Sequence, residues 1–187
     1  KMFQSFIIMT YMDDHFGGVR PFSMAIKIKD SSINIWNYKV LKELDTIQYF
    51  LEDSLGLEVR ASLISALRIM NRGSHAGFSK YYSLPKKSKI KSMRRGLRIV
   101  NKGKYIYSIL DSTELITQVN GTFPDAGNNI ITKKNERFNE FVKNRPMSNL
   151  IDYRITGTAF LIDKNMSYLS ESMVKGLALS IFIVALI

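Results

Sequence analysis

Pro21-Phe22-Ser23-Met24-Ala25-Ile26-Lys27-Ile28-Lys29 puts Phe22, Met24, Ile26 and Ile28 on one side of an extended chain and Ser23, Ala25, Lys27 and Lys29 on the other. A period of two marks a half-buried strand. Asp30-Ser31-Ser32 follows as a turn. Asn37 then offers an N-cap. Val40, Leu41, Leu44, Ile47, Leu51 and Leu55 recur at steps of three and four, with Lys42, Glu43, Asp45, Glu52 and Asp53 elsewhere on the surface. Gly56 stands where helices commonly end, and Leu57 to Ala61 reads as a second short strand. Residues 21–61 are thus expected to form a β-α-β unit.

The same order returns after residue 112. Thr113 to Phe123 reads as a strand with Leu115, Thr117 and Val119 on one face, and Pro124-Asp125-Ala126-Gly127 as a turn. Asn128 or Asn129 can cap a helix that uses Ile131, Phe138, Phe141 and Val142 and ends before Pro146. Ile151, Tyr153 and Ile155 alternate with Asp152, Arg154 and Thr156 as a fourth strand before Gly157. Between the two units, residues 62–112 read as an insertion without strands. It holds a helix over 62–72 (Leu63, Ile64, Leu67, Ile69, Met70), a break from Gly73 to Gly77, and a helix over about 86–100 after Pro85. Residues 2–14 suggest a further short helix, stopped by Gly17-Gly18. The expected class is α+β. Two β-α-β units in a split, ferredoxin-like plan would make one sheet with both long helices on one face.

Residues 158–175 look helical and amphipathic, and from Gly176 to Ile187 no residue is charged. Twelve helical residues span about 18 Å, short of the roughly 30 Å of a bilayer core. The segment therefore reads as the opening part of a transmembrane helix, with Lys175 and Tyr168 suited to the interface. A buried terminal helix of a soluble fold is the alternative, but it would carry a polar stripe where this one has only Ser180. Residues 1–157 are read as one domain and 158–187 as the helix leading into the partial span. Both ends read as boundaries within a longer polypeptide, and the opening residues show no signal-peptide pattern.

Hydrophobic residues make up 45% of the 187, enough to bury a core, so disorder is a poor description. The chain has no cysteine and two histidines, His15 and His75, so thiolate chemistry and a multi-histidine metal site are excluded. The net charge of +11 has one main source. Lys80, Lys86, Lys87, Lys89, Lys91, Arg94, Arg95, Arg98, Lys102 and Lys104 occur with no acid from residue 80 to 104. Lys86, Lys87, Lys89, Lys91, Arg94, Arg95 and Arg98 are candidates for contact with an anionic membrane or an acidic partner; a solvated helix face is the plainer account. Nucleic acid ranks behind both. Tyr81, Tyr82, Tyr105 and Tyr107 flank the patch, but no nucleic-acid motif is present. Asp13-Asp14-His15 fits a helix end better than an acid–base pair. No phosphate loop, G-x-S-x-G elbow, H-E-x-x-H helix or dinucleotide fingerprint occurs. No catalytic, metal or cofactor-binding residue is assigned.

Three stretches carry a family likeness. They are Phe16-Gly17-Gly18-Val19-Arg20-Pro21-Phe22, then Ile64 to Gly77, ending Ile69-Met70-Asn71-Arg72-Gly73-Ser74-His75-Ala76-Gly77, with Tyr81-Tyr82-Ser83-Leu84-Pro85 after it, and Ile155-Thr156-Gly157-Thr158-Ala159 ahead of the apolar helix. In this order, over nearly the whole chain, they resemble a porter loop of the resistance-nodulation-division (RND) superfamily, in its MMPL-like branch of lipid and hydrophobe exporters. The resemblance implies an extracytoplasmic domain at a bacterial inner membrane, on the periplasmic side. It implies an exporter driven by protons through ionisable residues in other helices. Expected partners are the remaining transmembrane helices, the second porter loop and a hydrophobic or lipid-like substrate; a homo-oligomer is compatible. Gly17, Gly18, Pro21 and Gly157 are the family-like positions expected to matter for the backbone. The domain would be no enzyme and need no cofactor. The rival readings are a soluble ferredoxin-like module whose basic patch grips nucleic acid or an acidic partner and, with least support, a hydrolase.

Overall fold

A computed structural model describes residues 11, 15, 18, 20–100, 109–124 and 128–186. Four strands form one sheet: β1 (Arg20–Ile28), β2 (Glu58–Ala61), β3 (Ile116–Phe123) and β4 (Ile151–Thr156), in the order β2-β3-β1-β4. Every neighbouring pair is antiparallel. Met24 faces Val119 across β1–β3, Ile26 faces Tyr153 across β1–β4, and Val59 faces Gly121 across β2–β3. The helices are α1 (Tyr38–Tyr49), α2 (Leu63–Gly73), α3 (Lys87–Val100), α4 (Asn128–Lys143) and α5 (Thr158–Leu186).

The period-two expectation for β1 holds. Phe22, Met24, Ile26 and Ile28 are buried, as are Thr117, Val119 and Phe123 of β3 and Ile151 of β4. Val40, Leu41, Leu44 and Ile47 of α1 and Ile131 and Phe138 of α4 complete the same core. Burying each such side chain contributes about 1.5–3 kcal/mol. The opposite sheet face is polar, with Ser23 Oγ donating to Asn120 Oδ1 at 2.9 Å and Arg154 Nε to Asp152 Oδ2 at 2.9 Å.

Several boundaries differ from the sequence reading, each for a local reason. Asn37 does cap α1, its Oδ1 accepting from the Lys39 N–H at 3.0 Å. The helix does not stay α-helical to Leu55, however; Phe50–Ser54 is a π-helical turn. There Phe50 stacks on Phe141 of α4 with centroids 3.9 Å apart. Lys134 Nζ donates to the Leu55 carbonyl at 2.6 Å, a helix-end acceptor without an intrahelical partner. β3 begins at Ile116 and not at Thr113. The Asp111 carboxylate first collects the N–H groups of Thr113, Leu115 and Ile116 at 3.1, 3.1 and 2.9 Å, and Glu114 takes a φ of 57°.

The helices of the 62–112 segment that the structure describes pack into the core. Ser62 caps α2 by accepting from the Ser65 N–H at 2.9 Å, and Leu63, Ile64 and Leu67 are buried with Ile90, Met93 and Leu97 of α3. Among its described residues the segment holds no strand, as expected, and only an isolated bridge between Leu110 and Thr117. Ile69 lies in α2 as expected but is 61% exposed. Of the expected 2–14 helix only Tyr11 is described; the rest lies outside the described residues, as do Asp13, Asp14, Gly17 and the turn at 125–127.

Candidate functional site

Three segments meet beside the β1 end of the core. The first is the loop 30–39, which is tied to itself. Ile33 N–H donates to the Asp30 carbonyl at 3.1 Å, Trp36 N–H to Asn34 Oδ1 at 3.1 Å, and Ile35 N–H to the Glu114 carbonyl at 3.2 Å. Ile35 is thereby buried completely and Trp36 nearly so. The second is α3. Its apolar stripe faces the core, which sets Lys87, Lys91 and Arg94 along the stripe's margin. The third is the turn after α4, where Leu150 N–H donates to the Met147 carbonyl at 2.9 Å.

Together they enclose an open groove of about 790 Å³. Ile33, Trp36, Ile90, Met147 and Leu150 form its apolar floor, and Lys39, Lys87, Lys91 and Arg94 its rim. Arg94 is committed: its guanidinium makes a two-pronged ion pair with Glu114 and lies 5.6 Å from the Trp36 ring centroid. That pair joins α3 to the turn ahead of β3 and cancels one positive charge. Among the described residues no carboxylate is within ion-pair distance of Lys39, Lys87 or Lys91. The groove is therefore cationic at the rim and greasy below. Trp36 Nε1 and Tyr153 Oη are buried without a hydrogen-bond partner among the described residues. Burial holds the Tyr153 phenol well above its ordinary value, and the nearby Glu43 carboxylate adds to the shift.

The basic residues read from the sequence separate in space. Lys87, Lys91 and Arg94 reach the groove; Lys86, Lys89 and Arg95 are exposed and do not line it. Arg98 belongs to α3 with its side chain outside the described set, and Lys102, Lys104, Tyr105 and Tyr107 lie outside the described residues. Tyr81 stacks on His75 at 3.9 Å, and Tyr82 lies over the Arg68 guanidinium at 6.0 Å. Neither lines the groove. The 69–85 motif is instead the end of α2 with the loop after it pinned back onto it: Asn71 Nδ2 donates to the carbonyls of Tyr81 and Ser83 at 3.0 and 3.1 Å, and Arg72 Nε to the Gly77 carbonyl at 2.8 Å.

Two of the family-like glycines sit where the chain enters and leaves the sheet. At Gly18 the φ is +103°, and a Cβ would stand 2.0 Å from the Phe123 carbonyl oxygen. At Gly157 the φ is +102° between β4 and α5. Pro21 lies in β1 ahead of Ser23, where pairing with β4 begins, so one flank is still open and a missing N–H is tolerated. Sequence reasoning missed Ile33, Trp36, Lys39, Met147 and Leu150. The lone tryptophan between a turn and an N-cap was the one available signal.

The other notable feature is α5. From Phe160 to Leu186 it is long and apolar enough to cross a membrane, and an apolar 18-residue stretch within it carries no buried residue. Twenty-seven helical residues extend about 40 Å. Lys175 Nζ donates to Glu171 Oε1 at 2.6 Å, one helical turn away, so these two charges compensate each other. A second cleft, of about 380 Å³, separates α4 from the start of α5. Among the described residues no cluster of His, Asp or Glu could hold a metal. The chain matches no protein-family model, no curated protein and no solved structure.

Proposed function

We propose that the chain is the extracytoplasmic substrate-path domain of a proton-driven RND-type exporter of the MMPL-like branch, handling hydrophobic or lipid-like molecules at a bacterial inner membrane. The observation that carries this reading is α5. α5 has the length and composition of a membrane-crossing helix, and an apolar 18-residue stretch of it carries no buried residue; exposed apolar surface of that kind is unfavourable in water, whereas a bilayer covers it. The strand order supports the domain type. β1 and β2 run in the same direction with β3 between them, and β3 and β4 do so with β1 between them. That is what a ferredoxin-like pair of split β-α-β units requires. The glycines quoted for the family likeness, Gly18 and Gly157, stand at the junctions where a rigid sheet would turn against its tethers. The domain's work is conformational: it shapes a path and makes no bond, while protons flow through helices elsewhere in the transporter.

A second reading, a soluble module that grips nucleic acid or an acidic partner, is favoured by the rim lysines that lack a carboxylate. The two separate on one measurement. The 187-residue chain expressed in bacteria is expected in the membrane pellet after alkaline carbonate washing. Leu179→Arg/Ile183→Arg should release it, since each arginine costs about 2.5–3.5 kcal/mol at a helix centre in a bilayer. Wild-type protein in the soluble fraction, folded and monodisperse, would favour the second reading.

A further inference from the structure

We infer that the groove between the 30–39 loop, α3 and the 147–150 turn binds one molecule of a single-tailed amphiphile with an anionic head group, carboxylate or phosphate. This rests on the export reading and names the class of cargo. The groove combines two chemistries that such a molecule alone satisfies together. Its floor is Trp36, Ile33, Ile90 and Leu150, and its rim carries Lys39, Lys87 and Lys91 without a carboxylate within ion-pair distance among the described residues. Burying a tail on the floor gains about 25 cal/mol per Å² of apolar surface. A head group at the rim gains charge-assisted hydrogen bonds from the lysines.

Arg94 and Glu114 neutralise each other and hold Trp36 in place, so the lysines supply the excess charge. The volume of about 790 Å³ falls within the roughly 300–1,000 Å³ of small-molecule sites. Its concavity suits a single captured molecule; a flat bilayer surface would meet the lysines and leave the floor unfilled. A nucleic-acid strand would engage the lysines, but the groove's aromatics are one nearly buried indole and the half-buried Tyr38, over which Lys42 Nζ lies at 5.4 Å, and they do not make a platform for successive stacked bases.

Trp36 is the chain's only tryptophan, so its fluorescence reports on the groove alone. The full chain is placed in nanodiscs of unlabelled phosphatidylcholine and titrated with a dibrominated stearate. Saturable quenching of Trp36 is expected. Lys87→Glu/Lys91→Glu, both at exposed positions, should weaken the apparent affinity by about tenfold or more, with an unchanged emission spectrum, and the double Lys→Gln variant should fall between. Absence of saturable quenching, or equal quenching of wild type and variants, overturns the inference. So does equal affinity for the brominated alcohol of the same length, or displacement by inorganic phosphate as strong as by unlabelled stearate. Quenching by nanodiscs built from brominated phosphatidylcholine alone would mean that the groove rests on the bilayer, and would also overturn it. Incorporation into the nanodisc is read separately. A chain that incorporates without binding sinks this inference alone, and one that binds without incorporating sinks the membrane reading alone.

Discussion

Gly18 shows how little of a residue's role is visible from its identity. Its backbone at φ +103° abuts the Phe123 carbonyl so closely that any Cβ would overlap it at 2.0 Å. Gly18→Ala is expected to destabilise the fold by about 1–3 kcal/mol or more, the range for a strained non-glycine backbone before the overlap is added. Gly73→Ala, with nothing within 4 Å of its Cβ, should be neutral or stabilising by up to about 1 kcal/mol. Urea unfolding followed by circular dichroism separates the two.

Asp111 makes a pH-dependent counterpart. Partial burial raises its carboxyl, but hydrogen bonds from the Thr113 hydroxyl and from the N–H groups of Ile116, Thr113 and Leu115 outweigh that, so its value lies below the ordinary one. A carboxyl depressed in the folded state adds stability above its unfolded value, about 3.9, and loses it as pH falls through the lower folded value. The stability gap between wild type and Asp111→Asn should therefore be constant near neutrality and close below about pH 4. A gap that widens on acidification would contradict this account.

At the scale of elements, α1 and α2 are locked by a polar knot inside the apolar packing. Ser62 Oγ donates to Gln48 Oε1 at 2.6 Å, and Gln48 Nε2 donates to Ser65 Oγ and Glu52 Oε1 at 2.8 and 2.7 Å. Arg68 bridges Asp45 and Glu52 beside it at 2.8 and 3.1 Å. Gln48→Ala removes the shorter of the two bonds of the buried Ser62 hydroxyl, which keeps Ser65 Oγ at 3.0 Å, and both bonds donated by Gln48 Nε2; it should cost about 1–3 kcal/mol, measured by urea unfolding. Carbonate extraction of the same variant should be unchanged, because α5 is not involved.

The sequence made β1, α1, α4 and β4 legible because each has one buried face, and period then reads directly as structure. It did not reveal the π-helical turn at Phe50–Ser54, since Leu51 and Leu55 keep an α-helical spacing through it. It also placed the start of β3 too early. Asp111 outcompetes the strand ladder for three backbone N–H groups, and that is a side-chain event without a periodic signature. The helical reading of 62–72 holds, but the apolar character of Ile69 does not say which face of α2 meets the core, and it is exposed.

For the whole molecule, charge and greasiness are spatially organised in ways a linear reading only half captures. The run of cations from Lys80 to Lys104 was plain, but its split into rim residues and solvated residues depends on which face of α3 is buried. The floor beneath the rim comes from segments more than a hundred residues apart in the chain, Ile33 and Trp36 on one side and Met147 and Leu150 on the other. No spacing rule joins them. The terminal helix was foreseen as an amphipathic part followed by an apolar part, and it is one continuous helix from Thr158 to Leu186. Its unburied apolar surface has no counterpart elsewhere in the described chain.

The exporter reading requires α5 to lie in lipid while the α+β body lies in water. Because the chain has no cysteine, one introduced thiol reports unambiguously. Ser180→Cys in α5 and Ser88→Cys on the exposed side of α3 are to be labelled, in the full chain reconstituted into liposomes, with a water-soluble maleimide that does not enter lipid. The prediction is rapid labelling at 88 and protection at 180 until detergent is added. Equal labelling at both positions in intact liposomes would contradict it.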